Sequence, residues 1–172
     1  GSGQVAGHLG WDQNRKSFRF GEQDDYLRVI TFTGASAAAP DSPATLSILQ
    51  EAAGETALRL VSKLPNENRP APLGKAGEQI YATRFLGNRG YLVTYRLTDP
   101  LYVLDLSNPL DPQVAGELQV SGYSDYLFPL TENLLLGVGK DAVSDGSAGD
   151  GRFAWYQGVK VSLIDVAQPA AP

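Results

Sequence analysis

Leu101-Tyr102-Val103-Leu104-Asp105-Leu106-Ser107-Asn108-Pro109-Leu110-Asp111-Pro112 returns sixty residues later as Val161-Ser162-Leu163-Ile164-Asp165-Val166-Ala167-Gln168-Pro169-Ala170-Ala171-Pro172. Each copy reads as a short apolar strand, then an Asp, then a proline-bearing turn that ends it. A second match, Gln4-Val5-Ala6-Gly7-His8-Leu9 with Gln113-Val114-Ala115-Gly116-Glu117-Leu118, begins where the first turn stops. Repetition on this scale marks a chain built from copies of one small unit, each burying its apolar face on the next.

Outward from these copies, short runs rich in Val, Ile, Leu, Tyr and Phe, punctuated by Gly, Pro, Asn and Asp, predict strands at 5–9, 17–20, 26–33, 45–50, 58–64 and 80–86. They predict six more at 91–96, 101–106, 114–120, 125–130, 134–140 and 159–166. No stretch predicts a helix, and Gly54 makes 52–57 a hairpin turn. Four strands per unit, with units of about 44 residues upward, is the length of a propeller blade. The expected fold is all-β and β-propeller-like, with about three four-stranded antiparallel blades in one segment spanning 1–172. Residues 1–3 read as an expression scar and 4–10 as the outer strand of a preceding blade. Blades follow at 17–65, 78–120 and 124–172, the last lacking its fourth strand. Rings close with about four to eight blades, so the expectation is a fragment of a larger propeller or a ring that a partner completes. Open blade edges predict self-association.

The chain's 172 residues suit one domain, and 42% hydrophobic with 19% charged residues excludes wholesale disorder. Fourteen Lys and Arg against nineteen Asp and Glu leave a net charge of −5, which repels phosphate backbones and argues against nucleic-acid binding. Without cysteine there are no disulfides, zinc thiolates or cysteine nucleophiles, and both cytoplasm and periplasm stay open. No apolar run approaches the length of a membrane-spanning helix. Composition shifts at 34–43, 66–77 and 141–158 predict surface loops, where binding functions concentrate.

The strings Gly90-Tyr91-Leu92-Val93-Thr94-Tyr95-Arg96 and Thr98-Asp99-Pro100-Leu101-Tyr102-Val103-Leu104-Asp105-Leu106, then Gly116-Glu117-Leu118, carry a family likeness. It continues through Gly122-Tyr123-Ser124-Asp125-Tyr126-Leu127, Gly137-Val138-Gly139-Lys140-Asp141 and Gly158-Val159-Lys160-Val161-Ser162-Leu163. Over roughly 26–172 the chain resembles bacterial secreted proteins with a C-terminal β-propeller domain distantly related to WD repeats. The Thr-Asp-Pro-Leu string with its following Leu-Asp-Leu is its most specific part. The resemblance implies an extracytoplasmic location, in some members with a lipid anchor, and assigns no reaction. The chain departs from that pattern in the long 141–158 loop and the Ala-rich 34–43 loop.

His8, the single histidine, aligns with Glu117 of the second copy, a position that tolerates any polar residue, and it lacks the neighbours of a triad or a metal site. Asp105 and Asp165 recur before proline turns, where a carboxylate accepts backbone N–H bonds; a catalytic carboxylate pair is the less common role. Asp141, Asp145 and Asp150 share a Gly-rich loop that is either solvated or a calcium site, though the spacing is not that of an EF-hand. Gly137-Val138-Gly139-Lys140 lacks the spacing and the following Ser or Thr of a phosphate loop. Arg96 and Asp99 suit a salt bridge that orders a turn. The functional alternative gathers Arg96, Asp99, Tyr123, Ser124, Lys140 and Asp141 on one rim, where they would hold a polar ligand or a peptide. Phe153, Trp155 and Tyr156 either pin their own hairpin or form an interaction patch.

These readings favour a non-enzymatic extracytoplasmic scaffold for a protein, peptide or small ligand, with no cofactor beyond the calcium candidate. The alternative is a hydrolase or lyase with acidic residues on the channel rim and calcium held by the Asp141 loop.

Overall fold

The structure is a computed structural model that describes residues 1–10, 12–34, 42–95, 99–144 and 154–172. Among the described residues the strands fall into three antiparallel sheets that do not close a ring. The first comprises β1 (Phe20–Gln23), β2 (Tyr26–Phe32), β3 (Ala44–Glu51) and β4 (Leu58–Leu64), hydrogen-bonded in that order. β5 (Gln79–Leu86), β6 (Arg89–Tyr95), β7 (Asp99–Asp105) and β8 (Gln113–Val120) make the second. β9 (Tyr123–Thr131), β10 (Leu134–Ser144) and β11 (Ala154–Asp165) make the third, with β10 in the middle. In every sheet the first two strands meet through a two-residue turn, with Gln23 opposite Tyr26, Leu86 opposite Arg89 and Thr131 opposite Leu134. Asp24 and Asp25 both take positive φ, the twist a tight hairpin demands and one that Asp tolerates.

Two apolar layers hold the sheets face to face. Ile30, Leu46, Ile48 and Leu64 of the first sheet bury against Ile80, Leu92, Tyr102 and Leu104 of the second. The opposite face of the second sheet, with Tyr91, Val93, Leu101 and Val103, buries against Leu127, Leu135 and Ile164 of the third. Alternate residues of one strand thus serve two cores, as the period of two in a strand requires.

Polar contacts fix the stacking register. Asp105 accepts from the Ser107 N–H at 2.9 Å, and Asp165 from the Ala167 N–H at 2.8 Å, so both repeat aspartates shape the turn after their strand. Arg28 donates to the Gly87 carbonyl in the turn of the next sheet. Arg89 does the same one sheet on, donating to Glu132 O at 3.4 Å, Asn133 Oδ1 at 3.2 Å and Val166 O at 2.9 Å. Arg69 grips Asp111 through two bonds at 2.8 and 2.7 Å.

Three expectations differ from the structure. Residues 17–20, expected as a strand, lie largely in a 3-10 helix, Gln13–Arg19, and β1 begins only at Phe20. The Asp12 side chain caps that helix by accepting from the Asn14 N–H at 2.9 Å. Residues 5–9 form no ladder; their one contact of this kind is an isolated bridge from His8 to Phe32, with a second bridge upstream from Ser2 to Ala57. β10 and β11 run to Ser144 and from Ala154, so hairpin arms occupy much of the expected 141–158 loop.

Candidate functional site

In an up-and-down sheet the first strand starts where the second ends. Tyr81 near the start of β5, Tyr95 at the end of β6 and Tyr123 at the start of β9 therefore share one rim, and their rings form a cluster. The centroids lie 5.3 Å apart for Tyr81 and Tyr95, and 4.7 Å apart for both Tyr81–Tyr123 and Tyr95–Tyr123.

Four of the six expected ligand residues meet here through strand register. Tyr123 pairs with Lys140 and Ser124 with Gly139, and Asp141 follows at a bulge in the β10–β11 ladder. Asp99 opens β7 at the same rim, opposite Val120. Arg96 lies outside the described residues, as do Phe153, Asp145 and Asp150. Trp155 and Tyr156 fall in β11 opposite Val143 and Ala142. Among the described residues no group of three His, Asp or Glu could hold a metal ion. Gly137 and Gly139 belong to the middle of β10, where β9 presses on them. A Cβ at Gly139 would stand 1.8 Å from the Tyr123 carbonyl oxygen, so packing, not phosphate binding, calls for glycine.

Beside the tyrosines lies a cleft of about 470 Å³. Arg15 and Arg19 of the 3-10 helix line it, together with His8, Ile80, Tyr81 and Tyr123. Arg15 is held between two carboxylates, Asp12 at 2.8 Å and Asp125 at 2.5 Å, and its guanidinium stands 5.2 Å from the Tyr81 ring centroid. Arg19 is buried, with a relative exposure of 5%. Its Nη2 donates to the Ile80 carbonyl at 3.1 Å, while Nη1 is buried with no hydrogen-bond partner. Burial, with Arg15 nearby, pushes the Arg19 guanidinium down to about 10 against the partial opposition of Asp12. His8 packs on Phe32 with centroids 5.0 Å apart, and its Nδ1 accepts from the Gly10 N–H at 3.0 Å.

The sequence reading missed both arginines. One signal was available: Arg15, Lys16 and Arg19 put three cations within five residues of an acidic chain.

The Beta propeller domain family matches residues 1–172. An uncharacterised protein of Methanocaldococcus jannaschii is 41% identical over 166 residues, 96% of this chain and 22% of the relative. An uncharacterised protein of Archaeoglobus fulgidus is 44% identical over 95 residues, 55% of this chain and 13% of the relative. The chain thus spans about a fifth of the first relative's length and less of the second's. Both relatives are archaeal, whereas the likeness read from the sequence was to bacterial proteins. No solved structure matches. A family match over the whole length, on three stacked antiparallel sheets, places this chain in the Beta propeller domain family.

Proposed function

We propose that this chain is a non-enzymatic, extracytoplasmic binding scaffold whose rim cleft receives an anionic group of its ligand. The carrying observation is Arg19, buried at the cleft with one guanidinium nitrogen unpartnered. A buried cation is costly unless paired, and a single backbone carbonyl compensates it only in part. A carboxylate or phosphate oxygen supplies the missing acceptor, with the planar fork of the guanidinium favouring two parallel bonds. Tyr81 and Tyr123 give the ligand apolar walls with polar tips. Asp12 and Asp125 are both engaged by Arg15, which favours binding over the acid–base work of the hydrolase alternative. The extracytoplasmic assignment rests on the family likeness of the Thr98 to Leu106 string.

The test is thermal unfolding in acetate and in inorganic phosphate against chloride at equal ionic strength. A saturable rise in Tm with either oxyanion, lost in Arg19→Met, is the expected result. A response no larger than that to chloride overturns the reading.

A further inference from the structure

Two strands repeat one device to hold Arg15 at the cleft. Tyr81 has no ladder partner between Ile80, opposite Thr94, and Ala82, opposite Val93. Asp125 has none between Ser124, opposite Gly139, and Tyr126, opposite Val138. These are bulges at matching positions near the starts of β5 and β9, and a bulge re-aims the side chain it leaves unpaired. Both re-aimed side chains meet Arg15, the Tyr81 ring centroid at 5.2 Å and Asp125 Oδ1 at 2.5 Å. Asp12, the cap of the 3-10 helix, closes the clamp on Arg15 Nε at 2.8 Å.

That clamp sets the charge of the cleft. Among the described residues, the guanidinium groups of Arg15 and Arg19 stand against two carboxylates, Asp12 and, through its bond to Arg15, Asp125. The site is therefore neutral before a ligand enters. A carboxylate adds one negative charge. A phosphate group adds about −1.5 to −2 at neutral pH and sets it beside two aspartates that Arg15 already holds, so the balance favours the single charge. Asp12 also restricts what stands next to that charge. Its Oδ1 accepts from the Asn14 N–H and its Oδ2 from Arg15, which leaves neither oxygen for an α-ammonium group. An amide is better served, because the carboxamide of Gln79 lines the cleft and both donates and accepts. The remaining wall is largely apolar, with Leu9, Phe32 and Ile80, and about 470 Å³ leaves room for a body behind the charged end.

We infer that the cleft takes the C-terminal carboxylate of a peptide that ends in an apolar residue. Arg19 Nη1, buried without a partner, donates to the carboxylate. The last side chain lies against Leu9, Phe32 and Ile80, and the last peptide group meets Gln79. The inference rests on the reading that the cleft receives an anionic group, and it narrows that group to a carboxylate with an amide beside it.

Calorimetric titration of the whole chain with N-acetylphenylalanine tests this against four comparators that each change one feature. The carboxamide removes the charge, the phosphonate analogue raises it, acetate removes the apolar body, and free phenylalanine restores the ammonium. N-acetylphenylalanine should bind saturably, each comparator about tenfold or more weakly, and Arg19→Met should abolish the binding. The comparison among ligands uses the wild-type chain, so it decides the matter even where Arg19→Met fails to fold. Equal, Arg19-dependent binding of the phosphonate overturns the inference and leaves the anion-binding reading standing. So does equal binding of acetate or of free phenylalanine. Failure of every oxyanion to bind, or binding that survives in folded Arg19→Met, overturns both.

Discussion

Tyr102 is 6% exposed between the first two sheets, and its phenol is pushed up to about 12 by burial, with Glu117 and Glu78 adding to the effect. An unfolded tyrosine ionises near pH 10, so folding holds the proton more tightly than the unfolded chain does. The stability this provides is present below about pH 10 and is lost as the pH rises toward about 12. Wild type should therefore lose up to roughly 3 kcal/mol more than Tyr102→Phe over that interval, read by urea unfolding at each pH. Asp105 has the opposite sign. Hydrogen bonds from Ser107 hold its carboxyl below the usual carboxylate value, so its contribution exists above about pH 4 and fades as the pH falls through the folded value. Asp105→Ala should cost about 1 kcal/mol at neutral pH and flatten the acid limb of the stability profile.

At the scale of elements, the joints between sheets concentrate in a few residues. Arg89 ties the second sheet to the β9–β10 turn and to Val166 just after β11, so Arg89→Ala should cost about 1–2 kcal/mol. Amide exchange should quicken in β9–β11 and stay unchanged in β1–β4. Gly116 is a second joint, because a Cβ there would stand 2.1 Å from the Pro169 carbonyl oxygen. Gly116→Ala should force the second and third sheets apart at a cost of about 1–3 kcal/mol, and amide exchange would show the same loss confined to the third sheet. Most strands were legible because the repeat of 101–112 at 161–172 places the same residue types in the same roles, down to the Asp that shapes each turn. The 3-10 helix was not legible, since its fixing contacts are tertiary. Phe18 meets Tyr126 at 5.5 Å and Arg84 at 4.3 Å. The cleft shared that obscurity: the partners of Arg19 and Arg15, Ile80 and Asp125, lie 61 and 110 residues along the chain. The rim residues Tyr123, Ser124, Lys140 and Asp141 were legible as neighbours because hairpin register follows from local sequence.

Over the whole molecule, equal repeat positions have unequal surroundings. Leu101 and Val103 lie beneath the third sheet, while Val161 and Leu163, their counterparts, lie on a surface that no described residue covers. The hydrophobic contribution of a side chain depends on the area removed from water, not on the motif to which it belongs. Leu101→Ala should therefore cost about 2–5 kcal/mol. Leu163→Ser should change stability by about 0.5 kcal/mol or less, both read by urea unfolding, and a loss at Leu163 as large as that at Leu101 would mean that the two repeat positions are equally buried.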